Sequence, residues 1–139
     1  RGALKIPQGE PCSCLRHALN GENPVIPLTA WEIGKPKDRK LLAQCKEAVL
    51  RLLPDAELIL FGSRARGKAK RDSDYDLLIL SLRPLSPELE DRLNGALYEI
   101  ELQRTVIISS LVFEREQWEL PRYRAMPLSQ SIAREGVVL

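Results

Sequence analysis

Apolar residues recur every three to four positions over residues 38–53, and short continuous apolar runs follow them along the chain. The first pattern is typical of one face of an amphipathic helix, which Pro54 would end. Three short runs rich in aliphatic and β-branched residues are typical of buried strands, namely "ELILF" (57–61), "YDLLIL" (75–80) and "TVIISSLVF" (105–113). Residues 38–113 therefore contain one helix pattern followed by three strand patterns.

Further helices are predicted in the second half of the chain. Ser86 can cap a helix over residues 87–102, because a proline at the first helical position is well tolerated. A short polar helix is expected around residues 114–119, and another over about 128–134, which Gly136 would close. The order helix, strand, strand, helix, strand, helix predicts an α/β fold with a small sheet.

The first 36 residues lack this periodicity and hold five of the ten prolines and four of the eight glycines. We therefore expect residues 1–36 to form an extended or poorly ordered N-terminal arm, and residues 37–139 to form the folded domain. Cys12, Cys14 and His17 could bind zinc within the arm, but a closed structural site needs a fourth ligand.

Composition limits the class of protein. The 139 residues are 44% hydrophobic and 29% charged, which is typical of one globular domain. No apolar run approaches the roughly 18 residues of a membrane span and no signal peptide is evident, so we expect a cytoplasmic protein without a membrane partner. Three cysteines do not suit a disulfide framework, and Cys45 is expected to pack as a small apolar group. The net charge of +2 does not favour direct nucleic-acid binding.

The stretch after the first strand partly matches a Walker phosphate-binding loop. Gly62, Gly67 and Lys68 fill the motif, but Ala69 stands where a Ser or Thr hydroxyl would bind magnesium. The residues that follow also lack the helical periodicity that such a loop requires. We interpret the Walker match as accidental.

The same stretch supports another phosphate chemistry. Gly62 lets backbone N–H groups approach a phosphate, and the hydroxyl of Ser63 adds a donor. Asp74 and Asp76 are two apart on a strand, so both carboxylates project from one face. A shared magnesium ion would relieve their repulsion and take its remaining ligands from phosphate oxygens. Five cations lie between these two groups and would be held together by an anion: Arg64, Arg66, Lys68, Lys70 and Arg71. The plain alternatives are a tight turn, a solvated loop and an Asx turn.

This stretch resembles the signature of the minimal nucleotidyltransferases, small relatives of the DNA polymerase beta superfamily. The matching residues are Gly62-Ser63 and, after ten further residues, Asp74-x-Asp76. The ending "SIAREGVVL" is also similar to that of the family. The resemblance implies a small mixed sheet flanked by helices. It further implies transfer of a nucleoside monophosphate from a magnesium-bound nucleoside triphosphate to a hydroxyl, with release of pyrophosphate.

The resemblance also carries roles onto matching residues. It implies two catalytic metal ligands for Mg²⁺, a glycine-serine pair that holds the terminal phosphates, and one of two arginines near the leaving pyrophosphate. The implied metal ligands are Asp74 and Asp76. The implied nucleotide-binding residues are Gly62, Ser63, Arg64 and Arg66.

One feature of the family is missing from the sequence. A third carboxylate normally lies on the next strand, where it helps to hold a second metal and to activate the attacking hydroxyl. Between Leu102 and Phe113 there is no acidic residue. We therefore expect binding of Mg²⁺ and nucleotide with slow or lost turnover, unless Glu101 or a partner supplies the missing group.

Minimal members of the family often act as antitoxins that attach AMP to a helical HEPN-type ribonuclease toxin, so the resemblance implies a partner protein as acceptor. The arm or the segment 118–123 could contact it, although Trp118 and Tyr123 could equally be packing residues. Two alternatives stay open. One is a catalytically silent relative that neutralises its partner by binding alone. The other is a small-molecule transferase whose acceptor site is the cleft of a homo-oligomer.

Overall fold

The computed structural model describes residues 25–139, which form one five-stranded sheet with helices on both faces. The strands are β1 (Ile26–Pro27), β2 (Glu57–Phe61), β3 (Tyr75–Ser81), β4 (Ile108–Glu114) and β5 (Val137–Val138). The helices are α1 (Pro36–Leu52), α2 (Gly62–Arg66), α3 (Pro87–Arg104), α4 (Arg115–Trp118), α5 (Pro121–Arg124) and α6 (Pro127–Glu135), and a 3₁₀ turn (Leu28–Ala30) follows β1.

The strand order is β1-β5-β2-β3-β4. β2 is antiparallel to β3 and β5, whereas β3 is parallel to β4 and β1 is parallel to β5. Because two parallel neighbours need a crossover connection, the long helix α3 lies between β3 and β4 in the chain. The sheet is therefore mixed and flanked by helices, which confirms the predicted fold class.

Alternation along β3 divides the core into two layers. Tyr75, Leu77 and Ile79 face the helices α1 and α3, whereas Leu78 and Leu80 face α4 and α6. In this part of the chain all five side chains are buried, and burying an aliphatic side chain contributes about 1.5–3 kcal/mol. Asp74 and Asp76 alternate in step with Leu78 and Leu80, so they lie on the same face of the sheet, toward α4 and α6.

Two predictions about packing residues can be checked in this core. Cys45 is fully buried among apolar neighbours of α1, as predicted, and burial raises the pKa of its thiol to about 12. Trp118 is also fully buried, with its ring 5.2 Å from that of Phe113. The ring of Tyr123 lies edge-on to the same phenylalanine at 5.6 Å. Trp118 is therefore a packing residue.

The predicted start of the third strand needs correction. The third predicted strand, 105–113, forms only from Ile108, because α3 continues to Arg104 and Thr105 adopts a left-handed conformation with φ of 56°. The N–H of Val106 then bonds the carbonyl of Glu101 and completes the helix end. The sequence analysis missed four short elements, β1, α2, α5 and β5, because segments of two to five residues show no periodicity.

The last residues of the segment expected to be an arm pack onto the domain. Val25 and Trp31 are buried, and the Trp31 indole N–H donates to the carbonyl oxygen of Ala65 at 3.1 Å. Residues 1–24, which include the cysteines and the histidine of the predicted zinc site, lie outside the described residues. Among the residues that the structure describes, no helix combines the length and the apolar character needed to cross a bilayer.

Candidate active site

The predicted glycine-serine bend (Gly62 and Ser63) and the acid pair (Asp74 and Asp76) meet at one end of the sheet. Phe61, the last residue of β2, pairs with Asp76 of β3, so the chain enters Gly62 directly beside that aspartate. Gly62 has φ of +79°, and a Cβ added to it would overlap Oδ2 of Asp76. Glycine is therefore required here both for its backbone conformation and for the close approach of the carboxylate.

The residues from Gly62 to Arg66 form the short helix α2 instead of an open turn. The helix ends at Gly67, whose φ of 75° is left-handed, and the N–H of Lys68 donates to the carbonyl of Ser63 at 2.9 Å. Ser63 thus lies in the first turn of α2, half-buried and next to Gly62.

The acid pair, Asp74 and Asp76, is half-buried. Within residues 25–139, neither Asp74 nor Asp76 forms an ion pair with a lysine or arginine. Burial raises the pKa of Asp76, and the negative charges of Asp74 and Glu135 raise it further, while Arg66 opposes them. Two carboxylates that lack a cation fit a hard divalent ion such as Mg²⁺, which accepts one or two carboxylates.

β4 offers a hydroxyl at the acid pair and no carboxylate. Ser109 pairs with Asp76 in the parallel register, and its hydroxyl donates to Asp74 Oδ2 at 3.2 Å. Glu114 lies at the opposite end of β4 and accepts from the N–H of Leu85 at 3.0 Å. In the described part of the chain, no three Asp, Glu, His or Cys residues cluster as a metal site. Glu101 lies on α3, across the sheet from the acid pair.

Glu135 lies at the site, although no pattern in the sequence predicts it there. One of its oxygens accepts from the N–H of Gly62 at 2.9 Å, and both accept from Arg66 Nη1 at 3.1 and 2.9 Å. Its carboxylate lies close enough to raise the pKa of Asp76. The quoted ending "SIAREGVVL" contains this glutamate, but only the sheet, through β5, brings it to Gly62.

The two predicted arginines have different surroundings. Arg64 is buried, with its side chain 9% exposed, and donates to the carbonyl of Ser73 at 2.9 and 3.2 Å. Its guanidinium lies 3.7 Å from Asp38 and 4.2 Å from the centre of the Tyr75 ring. Arg66 is 46% exposed and pairs with Glu135. Arg66 is thus the arginine beside the acid pair. Arg64 instead anchors the basic loop, residues 67–74, which connects α2 to β3.

A buried polar cluster, which the sequence analysis also missed, lies across the sheet. It consists of Asp38, Tyr75 and Arg64. The Tyr75 hydroxyl donates to Asp38 Oδ1 at 2.5 Å, and the N–H of Lys35 donates to Oδ2 at 3.3 Å. Burial and the bond to Asp38 raise the pKa of Tyr75 to about 12. This cluster connects α1 to β3 directly behind the acid pair.

A groove of about 460 Å³ lies between α3 and the residues that follow α2, on the α1 and α3 side of the sheet, and Glu101 is among its lining residues. Ser73, next to the acid pair, lies at one side of it. Three largely exposed apolar side chains, Tyr98, Leu102 and Ile107, line the other side. Apolar side chains grouped in this way are typical of a surface that contacts another molecule.

Comparison with known proteins agrees with this geometry. A family model described as "Nucleotidyltransferase domain" matches residues 42–134, about two thirds of the chain. Over 61 residues the chain is 46% identical to a Haemophilus influenzae protein described as "Probable protein adenylyltransferase MntA". The matched region covers 44% of this chain and 54% of that relative, so the chain spans about half the length of the relative. The chain belongs to the nucleotidyltransferase domain family, which confirms the predicted membership in the minimal, polymerase beta-like nucleotidyltransferases.

Proposed function

We propose that the protein is a Mg²⁺-dependent nucleotidyltransferase that transfers AMP from ATP to a hydroxyl of a partner protein. The observation that carries this proposal is the contact between Gly62 and the unpaired carboxylate of Asp76, at the end of β3 where Asp74 also lies. A relative described as a probable protein adenylyltransferase supports the choice of AMP and of a protein acceptor.

In this proposal each site residue has a defined task. Asp74 and Asp76 hold Mg²⁺, which when bound supplies charge neutralisation at the phosphates. Ser63 hydrogen-bonds the terminal phosphates, and Gly62 lets the carboxylate of Asp76 lie close to the start of α2, where the phosphates bind. Arg66 offsets the negative charge that develops on the pyrophosphate. The acceptor oxygen bonds to the α-phosphorus, the bond from that phosphorus to the pyrophosphate oxygen breaks, and the proton of the acceptor hydroxyl passes to water.

The acceptor in this proposal is a helical, HEPN-type partner protein. Leu102 and Tyr98, whose side chains are 63% and 57% exposed, lie on the groove that adjoins Ser73. A partner that covers this apolar surface would contact the chain beside Ser73, and it would have to extend past the end of the sheet to bring its own hydroxyl to Asp74. We expect Leu102→Asp to prevent labelling of the partner and to leave binding of Mg²⁺ and ATP unchanged.

A second function, neutralisation of the partner by binding alone, is favoured by a specific observation. Ser109 occupies the position on β4 opposite Asp76, where a third carboxylate is expected. The other carboxylate near Asp76 within residues 25–139, that of Glu135, is bonded to Arg66 and to the N–H of Gly62. Loss of the proton from the acceptor would then lack an adjacent base, so turnover would be slow.

The deciding experiment combines the purified protein, Mg²⁺, α-labelled ATP and the protein encoded by the neighbouring gene. Label on the neighbour supports transfer, and a stable complex without label supports binding alone. Asp74→Asn should remove the label and leave the complex intact. Asp72→Asn is the matched control, because Asp72 is an exposed acid of the same loop. If neither label nor a complex forms, the proposed partner is wrong, and if ATP does not bind in the presence of Mg²⁺, the proposed enzyme is wrong.

A further inference from the structure

Ser109 is the polar side chain that β4 contributes beside the acid pair. It pairs with Asp76 in the parallel register, and paired residues of neighbouring strands project to the same face of a sheet. Its neighbours Ile108 and Ser110 therefore project to the opposite face, toward α1 and α3. Alternation alone thus makes Ser109 the residue of this segment that can reach the acid pair.

The hydrogen bond from Ser109 restricts the carboxylate of Asp74. The hydroxyl has one proton, which it donates to Oδ2 at 3.2 Å, and its two lone pairs remain available. No other protein donor bonds Asp74 within the described residues. A bond to Oδ2 alone fixes the orientation of the carboxylate and leaves Oδ1 for another ligand.

A packing role does not account for Ser109. Its side chain is exposed at the sheet edge, in contrast to Ile108, which is buried in the layer of α1 and α3. An exposed strand position favours a β-branched residue over a serine. The small hydroxyl is best explained by its contact with Asp74.

We propose that Ser109 is a positioning residue, which holds Asp74 in the orientation that binds a divalent cation together with Asp76. This inference rests on the proposed function, because it concerns the same cation. Ser109 would add a residue of β4 to a site otherwise formed at β3. It stands on β4, where the family's third carboxylate is expected.

A pair of matched variants tests the proposal. Ser109→Thr keeps the hydroxyl and Ser109→Val removes it, while the two side chains have nearly the same shape and both suit a strand. Ser110→Val is the control on the neighbouring residue, whose side chain projects to the other face. The probe is Mn²⁺, whose free concentration is followed by electron paramagnetic resonance with and without ATP, so the measurement does not depend on turnover.

We expect Ser109→Val to weaken Mn²⁺ binding in the presence of ATP by about fivefold, the loss of one side-chain hydrogen bond. The Mn²⁺ affinity of Ser109→Thr should be within about twofold of that of the unmodified protein. Ser110→Val should have the same Mn²⁺ affinity as the unmodified protein. Thermal unfolding establishes that each variant is folded. Equal binding by the threonine and valine variants would overturn the positioning role.

The same titration separates this inference from the proposed function. If the unmodified protein binds Mn²⁺ with ATP and Asp74→Asn does not, while the valine variant binds normally, only the role of Ser109 is wrong. If the unmodified protein shows no metal-dependent binding of ATP, the proposed function is wrong and Ser109 has no cation to position.

Discussion

Two acidic sites lie on opposite faces of β3, separated by the backbone of Tyr75. Asp38 is buried but accepts hydrogen bonds from Tyr75 and Lys35 and lies beside Arg64. The acid pair, Asp74 and Asp76, is more exposed, yet receives one bond from Ser109 and no ion pair within the described residues.

The comparison shows that burial alone does not identify a functional carboxylate. A buried polar group whose partners are all supplied by the protein stabilises one arrangement of the chain. Carboxylates left without a cation repel each other, and a ligand can relieve that repulsion. We therefore propose that the Asp38 cluster serves stability and that the acid pair serves binding, and the following variants test this proposal.

Asp38→Ala should have the largest effect on stability. It removes the partner of the Tyr75 hydroxyl and leaves the buried guanidinium of Arg64 without its carboxylate, which costs about 3–5 kcal/mol. Urea unfolding measures this loss. Glu47→Ala, on the exposed face of the same helix, is the control and should cost less than about 1 kcal/mol. A loss as small as that of the control would contradict a structural role for Asp38.

Asp76→Asn should have the largest effect on binding. A neutral amide in place of a direct ligand should weaken Mg²⁺-dependent ATP binding on the order of 100-fold or more, because even outer contacts of a metal site are worth 10- to 100-fold. Isothermal titration measures the affinity. Unchanged affinity would remove Asp76 from the metal site.

The same variant should stabilise the protein at neutral pH. Because burial and the charge of Asp74 raise the pKa of Asp76 in the folded state, its contribution to stability is present below the ordinary pKa of 3.8. That contribution is lost as pH rises through the raised value. Without metal, Asp76→Asn should therefore unfold at a higher temperature than the unmodified protein at pH 7, and at a similar temperature below pH 3.8. A lower midpoint at pH 7 would contradict the repulsion between the two acids.

Glu135→Gln should strengthen ATP binding, by a smaller factor than that by which Asp76→Asn weakens it. The amide oxygen can still accept from Gly62, but the charge that holds Arg66 is removed, so a phosphate can take that guanidinium more readily. ATP should bind about three- to tenfold more tightly in the presence of Mg²⁺. Glu116→Gln, an exposed glutamate of α4, is the matched control. Weaker binding would show that Arg66 needs Glu135 to hold its position.

Tyr75→Phe should destabilise the protein less than Asp38→Ala does. It removes one hydrogen bond to Asp38 but keeps the ring beneath Arg64, so we expect a loss of about 1–2 kcal/mol in urea unfolding. Binding of Mg²⁺ and ATP should not change, because the hydroxyl lies on the face away from the acid pair. A large loss of ATP binding would show that the two acidic sites are coupled through β3.

Local chemistry accounts for what could be predicted from the sequence. The apolar run 57–61 matches β2, Ser86 caps α3 with a bond to the N–H of Leu89, and the parity of Asp74 and Asp76 places both on one face. Each of these depends on residues at most four apart. The glycine before Ser63 was predicted to allow a close approach, and the group that approaches it is Asp76.

Contacts between distant residues decided the rest. Glu135 reaches Gly62 across 73 positions, Tyr75 reaches Asp38 across 37, and Ser109 reaches Asp74 across 35. The sequence by itself determined that Asp74 and Asp76 project from one face and are candidates for metal binding, because spacing along a strand fixes the face of each side chain. Only the tertiary structure decided that Arg64 anchors a loop while Arg66 pairs beside the acids, because the order of strands in the sheet sets which partner each guanidinium meets.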